Sequence, residues 1–182
     1  MSQPIRMSSL LSGPAPGFEE PFAMLEACHE RVERMLTLLG RLREHLATHG
    51  CDASAREAAR DVMRYFDQAA PQHHRDEELH VFPPLIAQAD HAIVAVVRRL
   101  QQDHLLMESR WQQARQVLAG IQAGDLQSLS AEDDAALDGF ASLYDAHIKA
   151  EEERAYPAAA ALLDPPGKAA MSEEMMRRRG VR

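Results

Sequence analysis

The chain has 182 residues and a mass of 20.3 kDa, with 46% hydrophobic and 26% charged residues, the size and balance of one globular domain rather than of a disordered chain. Twenty Lys and Arg against 28 Asp and Glu leave a formal charge of −8, which argues against nucleic acid as a partner, and no apolar run approaches the ~20 residues of a membrane span. Cys28 and Cys51 are too few for a disulfide framework, and the N-terminus lacks the basic-then-apolar plan of a leader, so a reducing cytoplasm is the expected compartment.

Residues 1–20 contain Pro4, Pro14, Pro16, Gly13 and Gly17 and predict an irregular arm. Pro21 suits the first turn of a helix, and Phe22, Leu25, His29, Val32, Leu36 and Leu39 then recur at steps of three and four, predicting an amphipathic helix that stops near Gly50. A second helix is predicted from Ser54, which has Glu57 at capping-box spacing. It carries Val62, Phe66, Ala69, His73 and Glu77 on one face, with Pro71 inside it and Pro83-Pro84 ending or bending it. Asp90 is the expected cap of a third helix through Val97, Leu100, His104, Met107, Trp111 and Leu118, closed by Gly120 and Gly124. Ser130 opens a fourth, with Leu137, Phe140, Tyr144, His147 and Glu151 facing inward before Pro157. Nothing alternates with a strand period, so the expected fold is all-α, an up-down-up-down four-helix bundle over 21–163. The stretch 164–182, with Pro165-Pro166-Gly167 and a basic end, reads as a flexible tail.

The chain also repeats itself. Phe66, His73, Glu77, Glu78, Phe82 and Pro83 have counterparts at Phe140, His147, Glu151, Glu152, Tyr156 and Pro157, all displaced by 74 residues. Leu25, His29, Val32 and Glu33 match Leu100, His104, Met107 and Glu108 at a displacement of 75. Two copies of one helical hairpin are implied, each bringing a His on its first helix and an HxxxE pair on its second. Burying these groups without partners costs several kcal/mol, and a shared metal removes that cost. In an HxxxE pair the two side chains lie about 40° apart around the helix, so both can reach one cluster. With Phe66 as zero, His73 and Glu77 fall at roughly −20° and +20°, and His74 and Glu78 at roughly +80° and +120°, so the first pair is expected at the core. His and Glu without Cys suit Fe or Mn, with Zn less favoured. A step of four with His first also departs from the Glu-x-x-His step of ferritin-like bundles.

These residues, His29, the run HHRDEELHVFP, His104 in DHLLMESRW, and HIKAEEERAYP, resemble the hemerythrin-like, HHE cation-binding family over about residues 20 to 163. The resemblance implies a non-haem di-iron centre, oxo- or hydroxo-bridged, with His29, His73, Glu77, His104, His147 and Glu151 as ligands and both Glu bridging. Oxygen-carrying hemerythrins place a second His four residues after the first on the third helix, where this chain has Glu108. Two irons wanting about six donors each leave room for Glu108 as a seventh ligand. An anion there favours ferric iron and tilts the expectation away from simple oxygen carriage.

His74, Glu78, Glu152 and His80 are expected around the ligands or in solvent, His45, His49 and His91 at the surface, and Cys28 and Trp111 in packing. The leading functional expectation is a protein that binds or senses O2, NO, peroxide or iron, any signalling then needing a protein partner. A catalase-like or peroxidase-like enzyme and a Zn-stabilised structural bundle are the alternatives.

Overall fold

The computed structural model describes residue 17, residues 20–88 and residues 90–181, so most of the expected N-terminal arm lies outside the described residues. Among the described residues every regular element is helical. In chain order these are α1 (Pro21–His49), α2 (Ala53–Asp76), a π-helical turn (Glu77–Val81), α3 (Phe82–Ala87), α4 (His91–Ala123), α5 (Ala131–Ala141), α6 (Tyr144–Ala150), a second π-helical turn (Glu151–Ala155), α7 (Tyr156–Leu162) and α8 (Pro165–Arg178).

Local chemistry sets most boundaries. Gly50 and Gly124 follow α1 and α4 at φ of 74° and 83°, left-handed values that a side chain resists. Asp90 accepts from the amides of Ala92 and Ile93, and Ser130 forms a reciprocal capping box with Asp133. The second helix is capped two residues earlier than its Ser-x-x-Glu spacing suggests, because Asp52 takes the Ala55 amide. Pro71 lies within α2 without ending it.

Pro83 and Pro157 each follow a π turn, and here the repeat is written into the backbone. A proline ring crowds the carbonyl four residues back, and a wider turn relieves the crowding. The Phe82 amide accordingly bonds the Glu77 carbonyl and the Tyr156 amide bonds the Glu151 carbonyl, five residues away in both cases. Both wide turns start on the carboxylate of an HxxxE pair.

The helices fall into two compact units. One comprises residues 31–70 and 106–143; Phe66 packs edge-on against Phe140 at 5.0 Å, Trp111 lies 5.2 and 5.0 Å from the two rings, and Arg43 pairs with Asp134 and Asp138. The other comprises the described residues up to Glu30, 71–105 and those from Tyr144 onward. Its core includes Leu25, Val81, Phe82, Leu85, Leu100, Tyr156, Met171 and Met175.

Met171 and Met175 belong to α8, so the expectation of a flexible tail over 164–182 is corrected. The Pro-Pro-Gly that suggested looseness occupies the first turn of a helix, where missing amides cost nothing, and Asp164 caps it through the Gly167 amide. The basic end is also engaged: Arg178 and Arg179 both bond Asp76, whose side chain is fully buried. Removing both guanidiniums strands that carboxylate. The double variant Arg178→Ala, Arg179→Ala should therefore lose about 3 to 5 kcal/mol in urea unfolding, whereas a loose tail predicts no change.

Candidate metal centre

Among the described residues, the clusters that could hold a metal lie in the second unit and form two groups. In each, one ligand atom from every member lies within 4.8 Å of the others. The first group is His29, His73, Glu77 and Glu151; the second is His74, His104 and His147. The two carboxylates join them. Glu77 Oε1 lies 3.3 Å from His73 Nε2 while its Oε2 lies 3.4 Å from His104 Nε2. Glu151 Oε2 lies 3.0 Å from His29 Nε2 while its Oε1 lies 3.0 Å from His147 Nε2. Each carboxylate thus turns one oxygen to either group, the disposition of a bridge.

These close approaches are not hydrogen bonds. Glu77 Oε2, both oxygens of Glu151, His104 Nε2 and His147 Nε2 are buried without a hydrogen-bond partner. Such atoms cost about 1 to 3 kcal/mol each when left unpaired, so five of them converging in one interior call for a shared positive charge, a proton on the imidazoles or a cation. A cation in each group would satisfy them. Imidazole and carboxylate without thiolate is also the donor chemistry of borderline to hard cations.

The outer nitrogens fix which edge of each ring faces inward. His29 Nδ1 meets Glu152 Oε1 at 2.9 Å, His104 Nδ1 meets Glu78 Oε1 at 3.0 Å, and His147 Nδ1 meets Asp103 Oδ2 at 3.4 Å. A carboxylate behind the ring holds Nε2 toward the centre and makes it a better donor. Gln101 in turn holds Glu78. His80 is tied to Glu174 of α8 at 2.7 Å.

The centre's electrostatics favour a cation. Burial draws His29 down, yet Glu151, Glu77 and Glu152 raise it to about 9. Burial acts likewise on His104, and Glu151 and Glu77 raise it to about 10. Glu151 is pushed up by burial but held well below the ordinary carboxyl range by His104, His147 and His29. His74 is lowered well below the usual imidazole value, first by burial and then by His104 and His73, which leaves it a neutral donor.

A pH prediction follows. Because the His29 and His104 values are raised, their protonated pairing with the carboxylates stabilises the metal-free chain fully below the ordinary imidazole value, and this is lost as pH rises through about 9 to 10. Cations compete with those protons, so their affinity rises over the same span. Loading at neutral pH should release about two protons per chain, measurable by calorimetry in buffers of unlike ionisation enthalpy; uptake without release contradicts the assignment.

Of the seven residues expected from sequence, six converge: His29, His73, Glu77, His104, His147 and Glu151. Glu108 does not. It is exposed, belongs to the other unit, and is in neither group. Glu33, its repeat mate, is exposed too. The candidate that sequence reasoning missed is His74, which groups with His104 and His147 and whose ring stacks on His104 at 4.0 Å. Its angular position excluded it only because a single inward direction was assumed. Two adjacent groups span a width that lets consecutive residues about 100° apart fall in one group each, His73 in the first and His74 in the second. Asp103 was missed as well, and its spacing of one before His104 carries no signal.

A family model described as a hemerythrin HHE cation binding domain matches residues 20–159. A Haemophilus influenzae protein described only as uncharacterized is 31% identical over 135 residues, which cover 74% of this chain and 76% of that one.

Proposed function

Since the chain belongs to the hemerythrin HHE cation-binding domain family, we propose that it is a non-haem di-iron protein that binds or senses a small ligand such as O2, NO or peroxide, its two irons held within an up-down-up-down four-helix bundle. The observation that carries this reading is the pair of carboxylates, Glu77 and Glu151, each turning one oxygen to either histidine group. In this reading His29 and His73 hold one iron and His74, His104 and His147 the other.

Bound iron would supply reversible electron transfer and an exchangeable position for the ligand. The chain's own residues do the rest. Two carboxylates contribute one donor to each position, so the protein gives four donors to the first and five to the second, against about six wanted by each. The first position is therefore the more open. Glu78, Glu152 and Asp103 hold three imidazoles in orientation, and Phe82 stacks beside His104 at 5.6 Å.

The replacement of Glu108 by His74 as the seventh donor bears on the chemistry. An anionic ligand there was the reason to favour redox turnover; a neutral imidazole leaves five imidazoles with two carboxylates and supports ligand binding. No described helix is long and apolar enough to cross a membrane.

Metal analysis of anaerobically prepared protein, with absorption spectra before and after O2, tests the proposal. Two irons per chain and ligand-dependent bands support it. Rapid peroxide consumption moves the assignment to a catalase-like or peroxidase-like enzyme, and colourless protein holding Zn overturns it.

A further inference from the structure

The repeat makes the two halves of the centre nearly equivalent, and its departures show where they differ. His29 and His104 correspond, as do Glu152 and Glu78 behind them. The aromatic rings that follow the π turns correspond too. Phe82 stacks on His104 at 5.6 Å and 27°, and Tyr156 stacks on His29 at 5.4 Å and 10°. Two departures stand inside the centre. His74, the third imidazole of the second group, has Ile148 as its repeat mate, so the first group lacks a third nitrogen. Phe82 has Tyr156 as its mate, so the first group gains a hydroxyl.

That hydroxyl enters the cradle itself. Tyr156 is 2% exposed, and its oxygen lies 2.5 Å from Glu77 Oε1 and 3.1 Å from His29 Nε2. Both are atoms of the two-histidine group. The half with one donor fewer is thus the half with a hydroxyl at its edge. The hydroxyl donates to Glu77 Oε1, so in this arrangement the oxygen carries its proton and acts as a donor. Without a cation the O–H donates to Glu77; once that carboxylate oxygen serves an ion, the donor is available to a neighbour.

We propose that Tyr156 is a specificity-determining residue of the two-histidine half: its hydroxyl stands beside the coordination position the chain leaves free and hydrogen-bonds a small anionic ligand held there. The proposal rests on the di-iron reading above and adds to it which chain atom selects the ligand. At the three-histidine half Phe82 offers only carbon at the matching place. A ligand able to accept a hydrogen bond is therefore favoured at the first half over an isosteric one that cannot.

The test titrates azide, as probe, into ferric wild type and Tyr156→Phe, which keeps the ring and its stacking on His29. Iron per chain, helicity and the thermal melt of both metal-free proteins are measured alongside. The expected result is two irons in each, with azide binding on the order of tenfold weaker in the variant, the usual loss for a hydrogen bond to a charged group. The azide vibrational frequency should also shift in D2O for wild type only. Equal azide affinities overturn the proposal. So does a variant that loses iron yet binds azide normally per loaded centre, since Tyr156 would then only position Glu77. A tyrosinate-to-iron charge-transfer band in wild type, absent from the variant, overturns it as well, making the oxygen a ligand instead of a donor. Wild type that fails to take up two irons defeats the underlying di-iron reading and is told apart from these outcomes by the metal analysis.

Discussion

Glu151→Ala is expected to abolish loading at both positions, because one side chain supplies a donor to each group and the variant removes both at once. Its two oxygens are fully buried and face His29 on one side and His147 on the other. No exposed neighbour can substitute, since Glu152 and Glu153 point away to His29 Nδ1 and to Lys149. A cation present at about a thousand times its dissociation constant stabilises the folded chain by roughly 4 kcal/mol. For a chain of this size that corresponds to a Tm rise of about 10 °C. The loaded wild type should show that rise, and Glu151→Ala should melt at one temperature with or without iron. A variant that still gains thermal stability from iron would remove the bridging assignment.

The second large effect separates His74 from Glu108. His74→Ala takes away one of three imidazoles of the second group, so iron should fall from two per chain toward one while the first position stays filled. Glu108→Ala should leave both stoichiometry and spectrum unchanged, because the side chain is exposed and outside both groups. The angular argument from sequence predicts the opposite for His74, which makes metal analysis of the two variants decisive. If His74→Ala retains two irons and Glu108→Ala loses one, Glu108 and not His74 serves the second position.

Much of the site was legible because its chemistry is periodic. His73 with Glu77 and His147 with Glu151 share a helix, so spacing alone puts each pair on one face, and the 74-residue repeat brings the pairs into correspondence. His29 and His104 were legible for the same reason, each lying in the apolar stripe of its helix. Capping by Asp90 and Ser130 could be read from local hydrogen-bonding chemistry that needs no tertiary partner.

What the chain could not reveal by itself depends on distances between helices. His74 and Glu108 were ranked by angle on an ideal helix, but membership in the centre depends on how wide the cradle is and at what height each helix passes it. The same holds for α8: composition made 164–182 look loose, and only the buried Asp76 waiting on α2 for two guanidiniums explains why a basic end is ordered. Residue identity and periodicity therefore determined the helices, the repeat and six of the residues that converge. Tertiary structure alone decided the place of His74 beside His104 and His147, the carboxylates behind the imidazoles and the hydroxyl of Tyr156, because a polar atom's role inside a protein is set by which partners packing brings within about 3 Å of it.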